Sequence, residues 1–405
     1  MGIKKIVLIT PGQPSVNPRI VKEADALCKA GYSVTVLFCF WIQWAEAADR
    51  ELLRHVKWEY KMVGGSPSKN RMLYYFTKIR FKIFKTFNKW TNNLFYSAER
   101  AQARCYDELL TAAKSIKAHW FIGHNLGALA VAVKAATYYN AASGFDFEDY
   151  HRKENLNIPR YEEKRILYLE EKYISKLNYI STSSPLITDT IEQNFPFFKR
   201  SLITLLNCFP LSQQPLFRNK SENDNTLQLF WFSQTVGNNR GLETLIEALN
   251  RLNDASIHLT LAGRTSNGML SYIEKHGGSI QKNIHFAGII QPQSLPAFAA
   301  KYDVGMAIEL IVPKNRDLCL TNKIFIYLLA GNAIILSKTN MQRLFNNSYK
   351  VGEAFDANDA VELAEKIRFY KNRDKLNAQR LHNYELAKLV FNWENETKKL
   401  LKVIA

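Results

Sequence analysis

The chain has 405 residues, 47% of them hydrophobic and 22% charged, the balance of a globular protein. That length exceeds one ordinary hydrophobic core and implies two domains, and no run approaches the roughly 20 apolar residues that a membrane span needs. The formal net charge of +17 favours a polyanionic partner: nucleic acid, an acidic membrane or a phosphorylated substrate.

Lys4 and Lys5 precede a strand-length apolar run, residues 6–10, that ends in Pro11-Gly12. This reads as a buried strand and a turn, not a secretory signal. Asn17 caps a helix with Pro18 at its first position and Arg19 next. Ile20, Ala24, Leu27 and Cys28 form its apolar stripe, and Gly31 ends it. Residues 34–40 form a second strand. The resulting βαβ unit has no GxGxxG, which disfavours a dinucleotide dehydrogenase.

Residues 69–104 interrupt this rhythm. Met72, Tyr75, Phe76, Ile79, Ile83, Trp90 and Leu94 recur at helical spacing, and Arg71, Lys78, Lys82, Lys85 and Lys89 do so on a second face. The two stripes sit roughly 130° apart at 3.6 residues per turn. Lys69, Arg80, Arg100 and Arg104 add to the basic excess, against one acid, Glu99. A basic amphipathic helix with aromatics on its apolar side predicts docking on an anionic membrane surface; the alternative is a core helix with a solvated basic face. With so large an apolar face, and no RNP-type or zinc-type pattern, nucleic acid is not the expected partner.

Residues 120–122 form a strand ending in Gly123-His124-Asn125-Leu126, and a helix follows over 128–136. His124 then stands at a strand's carboxyl end, where α/β folds bind ligands. The acidic segment 146–151 contains Asp146, Asp149 and His151, too weak a pattern for a metal site. Strands follow at 179–182 and 202–206, with helices at 162–175 and 185–194. The polar stretch 213–225 marks the domain boundary. The five cysteines, Cys28, Cys39, Cys105, Cys208 and Cys319, show no CxxC pairing and read as reduced core residues of a cytosolic protein.

The second half restarts the alternation, with strands at 227–232, 257–262, 284–287, 304–308 and 333–336. Between the last two, Thr321 and Asn322 cap a helix that Gly331 ends. The start of that helix offers free N–H groups, a dipole and Lys323 to an anion. Residues 359–405 read as helical, with a break at Asn392-Trp393.

Six segments together resemble the GT-B glycosyltransferases, specifically the retaining group called family 4: Asn17-Pro18-Arg19; residues 123–126; residues 146–151; Leu206-Asn207 with Pro210; residues 229–249; and residues 302–337. The resemblance implies two Rossmann-like doubly wound α/β domains facing across a cleft. An acceptor-binding domain spans 1–210, a nucleotide-sugar-binding domain 211–385, and a helix over 386–405 crosses back to the first domain. It implies sugar transfer from a nucleotide-diphosphate sugar to a surface-glycan or lipid-linked acceptor, with retention of configuration and no metal or other cofactor. His124 and Glu309 match catalytic positions. Arg240, Gln234, Arg264, Gly288, Thr321, Asn322, Lys323 and Asp317 match the donor side, and Gly12, Asn17, Asn125 and Asp149 the acceptor side. Such an enzyme is expected in the cytoplasm, peripheral on the inner face of the plasma membrane. Three departures stand out: Gln234 replaces the family's arginine, Ile326 its ribose-binding glutamate, and the family's E-x7-E spacing is absent after Glu309, which leaves Asp317 as a rival to Glu309. They leave open a degenerate GT-B binding or scaffold protein.

Overall fold

The computed structural model describes residues 3–91, 97–221 and 225–405; Leu94 and part of the polar stretch 213–225 lie outside them. The chain divides into two compact units, Met1–Leu205 with Thr397–Ala405, and Leu206–Glu396.

The first unit opens with β1 (Lys5–Ile9), α1 (Pro18–Lys29), β2 (Ser33–Cys39), α2 (Ala45–Leu53) and β3 (Glu59–Val63). Three helices follow: α3 (Arg71–Asn88), α4 (Ser97–Gln102) and α5 (Tyr106–Lys114). Regular alternation resumes with β4 (Trp120–His124), α6 (Leu126–Tyr139), β5 (Ala142–Phe147), α7 (Arg160–Tyr173), β6 (Tyr179–Thr182), α8 (Pro185–Asn194) and β7 (Ser201–Thr204). The strands form one parallel sheet in the order β3-β2-β1-β4-β5-β6-β7. Chain order reverses between β1 and β4, and such a switch point opens a crevice at the strands' carboxyl ends.

The local sequence explains these elements. Ile6, Val7, Leu8 and Ile9 are completely buried, as a central parallel strand covered on both faces requires. Asn17 caps α1, its Oδ1 accepting from the Ile20 amide at 3.3 Å, with Pro18 at the first helical position. Helix α6 is apolar around its whole circumference and buried from Leu126 to Val133.

The second unit comprises β8 (Leu227–Val236), α9 (Leu242–Leu252), β9 (Ile257–Thr265), α10 (Asn267–His276), β10 (Ile284–Gly288) and α11 (Leu295–Ala299). Then come β11 (Val304–Ala307), α12 (Lys314–Leu318), α13 (Asn322–Ala330), β12 (Ala333–Ser337), α14 (Asn340–Tyr349), β13 (Gly352–Phe355), α15 (Ala360–Phe369), α16 (Arg373–Leu389) and α17 (Trp393–Ile404). Its six strands are parallel in the order β10-β9-β8-β11-β12-β13, with the switch point between β8 and β11. Helix α17 begins in the second unit and runs into the first, where Lys4 Nζ donates to the Ala405 carbonyl at 2.6 Å.

The basic segment is not one helix. It comprises α3 and α4, and α3 has three faces. Leu73, Tyr74, Thr77, Arg80, Phe81, Phe84 and Asn88 turn toward the unit, with Thr77 completely buried. The apolar stripe instead faces outward: Met72 is 88% exposed, Phe76 58%, Ile79 59%, Ile83 59% and Trp90 81%. Arg71, Lys78, Lys82, Lys85 and Lys89 form the third, also exposed face. The structure thus excludes the core-helix alternative for that stripe. It also corrects the charge: Arg80 pairs with Asp107 and Glu108, Arg100 with Asp107, and buried Arg104 donates to the carbonyls of Gly64 and Phe40. Those three bases tie the segment down and are not part of its outward charge.

Candidate functional site

In the second unit, the loop after β8 and the residues after β11 meet at the switch point. Gly241 fits there because a side chain would not: its φ is 78°, and a Cβ would lie 2.3 Å from Ile308 Cγ2. Next to it, Arg240 is half-buried and makes no hydrogen bond or ion pair with any described residue. Glu309 follows the end of β11, where its amide donates to Ser337 Oγ at 3.0 Å. Its carboxylate accepts from Lys323 Nζ at 2.5 Å, and both side chains are only 10% exposed. Lys323 also lies 5.3 Å from the centre of the Trp231 ring. The residues expected as catalytic carboxylate and phosphate-binding lysine are therefore one ion pair.

Thr321 and Asn322 start α13, with Thr321 as its N-cap. The Thr321 hydroxyl makes no capping bond, and its oxygen is buried without a hydrogen-bond partner among the described residues. Gln234 and Arg264 sit on paired strand ends, where Thr235 is in register with Arg264 across a bulge in β8. Gly263 permits that bulge: its φ is 137°, and a Cβ would lie 2.1 Å from the Ser233 carbonyl. Arg264 thus extends β9, where a strand ending at residue 262 was expected. Gly288 ends β10 and pairs with Ala262.

Asp317 does not offer a free carboxylate. Its oxygens accept from the Asn340 amide and side chain at 2.8 Å each, and from Lys314 Nζ at 2.8 Å. Burial alone would raise its pKa, but these donors hold it below the usual carboxylate range. Its work is to fasten α12 to the start of α14. Ile326 is completely buried, which suits an aliphatic residue and leaves no polar group at that point of α13. Arg316, which sequence reasoning passed over, donates to the Asn239 carbonyl at 3.0 Å and joins the two loops.

In the first unit, Gly12, Asn17 and Asn125 come together through Thr10. Asn125 Oδ1 accepts from Asn17 Nδ2 at 3.1 Å and from Thr10 Oγ1 at 3.4 Å, while Thr10 Oγ1 accepts from the Gly12 amide at 3.3 Å. Asn125 has φ 64° and ψ 150°, a conformation that normally belongs to glycine and costs roughly 1–3 kcal/mol. Strain of this kind gathers at functional sites.

His124 does not face an open crevice. It is 1% exposed, with Nε2 3.0 Å from Glu23 Oε2 and Nδ1 3.7 Å from Asp146 Oδ2. Asp146 takes a two-pronged bond from Arg19, Nε at 2.6 Å and Nη2 at 2.7 Å, and a third from Ser181 Oγ at 2.6 Å. Arg19 Nη1 donates to the Leu205 carbonyl at 2.6 Å. Burial would raise the Asp146 carboxyl, but Arg19, His124 and Ser181 outweigh it and hold it low. Burial would lower His124, but Glu23 and Asp146 outweigh that and raise it. The histidine thus stands between two acids inside the core. Asp149 is half-buried just beyond β5, and with burial its charge pushes the neighbouring Glu148 up to about 7. Glu23 and Ser181 had no local motif to announce them; the visible signal was Arg19 and Asp146, two charged residues in apolar surroundings.

Structural likeness to known proteins is extensive, though sequence identity is low. HepE from Anabaena in complex with UDP superposes with a TM-score of 0.68 at 13% identity, covering 99% of each chain. Sucrose-phosphate synthase from Thermosynechococcus elongatus gives 0.71 at 13% identity, covering 99% of this chain and 98% of that one. A TarM variant from S. aureus, in complex with fondaparinux, alpha-GlcNAc-glycerol and UDP, gives 0.67 at 12% identity, covering 99% of each. The chain has the GT-B fold. No protein-family model and no curated protein matches it. The two doubly wound sheets are the two Rossmann-like domains of a GT-B protein, and the loops described above lie at the switch points where open α/β sheets bind ligands.

Proposed function

We propose that this GT-B protein is a glycosyltransferase that moves a sugar from a nucleotide-diphosphate sugar to a surface-glycan or lipid-linked acceptor, with retention and without a metal. The observation that carries the reading is Arg240: a half-buried cation without a partner among the described residues, in the switch-point loop that meets the residues leading into Glu309. The leaving group is a nucleoside diphosphate whose charge grows in the transition state. The Arg240 guanidinium and the α13 N-terminus supply the opposing charge that a metal would otherwise bring. The complexes of HepE and TarM with UDP support a nucleotide donor. Turnover assayed with chelator and then with added Mg²⁺ or Mn²⁺ tests the metal-free chemistry; the expected outcome is no change in either, and loss with chelator contradicts it.

The first unit supplies the acceptor side, around Gly12, Asn17, Asn125 and Asp149. Its outward apolar and basic faces on α3 support docking on an anionic membrane, at the cytoplasmic face where a lipid-linked acceptor would be met. The degenerate-scaffold reading draws on Ile326 and Gln234. Slow hydrolysis of a labelled nucleotide sugar separates the two, since a scaffold binds donor without cleaving it.

A further inference from the structure

The loop that leaves the carboxyl end of β2 carries two outward indoles, Trp41 at 61% exposure and Trp44 at 44%. Surface hydrophobics scattered singly are ordinary, but two tryptophans three residues apart on one short loop mark an interaction surface. The loop is also firmly held. Gln13, 1% exposed, accepts through Oε1 from the Trp41 amide at 2.9 Å and the Ile42 amide at 2.7 Å. Its Nε2 donates to Asp49 Oδ2 at 2.5 Å, and Asp49 Oδ1 accepts from the Ser15 amide at 2.9 Å. A buried glutamine and a buried aspartate thus fix the backbone that presents the two rings to solvent.

The surroundings of the loop say what the rings meet. On one side lies α3: Phe40 packs edge-on against Tyr74 at 5.6 Å, the Phe40 carbonyl accepts from Arg104, and Ser68, just before α3, donates to Glu46 in the first turn of α2. On the other lies the acceptor side, since the Cys39 amide donates to the Gly12 carbonyl at 3.1 Å. Stacking on a glycan would call for polar side chains around the rings to take the sugar hydroxyls. Those next to them are already engaged, Gln13 with Asp49, and Gln43 and Ser68 with Glu46. An indole is apolar over its body and polar at its N–H, the combination that the headgroup layer of a bilayer favours. Helix α3, with its exposed apolar stripe and lysines, brings an anionic bilayer to the same neighbourhood. We propose that Trp41 and Trp44 form a second lipid-contacting element, inserted in the headgroup layer of the anionic membrane on which α3 docks. The proposal rests on the membrane-docking reading and extends it from α3 to the edge of the acceptor side. A lipid-linked acceptor then presents its sugar beside Gly12 without leaving the bilayer.

The test uses the full chain and vesicles of phosphatidylcholine containing phosphatidylglycerol, with and without lipids brominated near the headgroup end of the acyl chain, which quench nearby indoles. Wild type is expected to co-sediment and to be quenched. With Trp41→Phe and Trp44→Phe together, co-sedimentation should persist, and quenching should fall to the part that Trp90 on α3 contributes. With Trp41→Ser and Trp44→Ser together, binding at high salt, where the lysines of α3 are screened, should weaken about tenfold or more at an unchanged melting temperature. If the serine variant is destabilised, the phenylalanine variant alone decides. Three results overturn the proposal: wild type ignores the vesicles, the phenylalanine variant is quenched as strongly as wild type, or the two indoles respond to maltotriose or chitobiose in place of lipid, which would make them a glycan platform. Wild type that sediments with Trp41 and Trp44 unquenched removes only the loop and leaves α3, whereas wild type that fails to sediment removes both. Hydrolysis of a labelled nucleotide sugar, followed on the same sample, tests the transferase reading separately.

Discussion

Arg240 and Lys323 carry the same charge but stand in different circumstances, and their substitutions should differ accordingly. Arg240 has no partner to lose among the described residues, so Arg240→Ala should leave the melting temperature unchanged. A hydrogen bond to a charged group is worth about 1.5–3 kcal/mol, so kcat/KM for the donor should fall roughly ten- to a hundredfold. Lys323→Ala leaves Glu309 almost buried without its cation, and should cost stability as well as activity. Steady-state kinetics beside thermal melts check both. The buried cluster around His124 gives a pH signature. Its folded pKa is raised, so the stabilisation it contributes is complete below the ordinary value of about 6.5 and is lost as pH rises through the folded one. Asp146 is depressed, so its contribution holds above its ordinary value and is lost as pH falls through the folded one. The melting-temperature difference between wild type and His124→Gln should therefore shrink from mildly acidic to mildly alkaline pH; a constant difference contradicts the charged pair. Strand-end residues such as His124 and Glu309 were legible as polar groups closing apolar runs. Their partners were not, because Glu23 and His124, or Lys323 and Glu309, meet only once the sheet has formed.

At the scale of elements, the legible pieces were those with strong local signals. Strands β1, β11 and β12 are unbroken apolar runs, and α13 has a capping threonine and a terminal glycine. Three strands escaped. β3 and β13 lie at sheet edges and need no apolar run, and three of the five β3 residues are exposed. Central β5 reads Ala-Ser-Gly-Phe-Asp-Phe, and two of its residues suit the interior only through tertiary partners: the Tyr179 ring packs against Gly144, and Arg19 neutralises Asp146. Helix α3 was legible as amphipathic, but its inward face was not, because Thr77, Arg80 and Asn88 are polar and are satisfied within the unit. That inward face leaves the apolar stripe exposed, as the proposed membrane docking requires. Replacing Lys78, Lys82, Lys85 and Lys89 by Glu should abolish co-sedimentation with anionic vesicles at an unchanged melting temperature, since each basic residue is worth about 1 kcal/mol at such a surface. High salt should release the wild type only in part, because the apolar face is not screened. Indifference to vesicles, or unfolding of the substituted chain, would remove the membrane from the account.

At the scale of the whole molecule, the repeated βα alternation with a polar stretch between two halves made two doubly wound units readable from sequence. The contact division falls after Leu205 and again after Glu396, inside α17. No local pattern marks that second point, because a helix that serves two units keeps one continuous period. The fold narrows the chemistry, but a GT-B architecture by itself hosts no reaction; the site must supply it. The most direct measurement is therefore a panel of labelled nucleotide-diphosphate sugars incubated with wild type and Arg240→Ala, scored for thermal stabilisation and for release of sugar. The account predicts one donor that stabilises the wild type by about 2.7 kcal/mol at a hundredfold excess over its Kd, is slowly hydrolysed, and does both markedly less with Arg240→Ala. A panel in which no donor stabilises the chain, or one in which Arg240→Ala binds and hydrolyses as the wild type does, would contradict it.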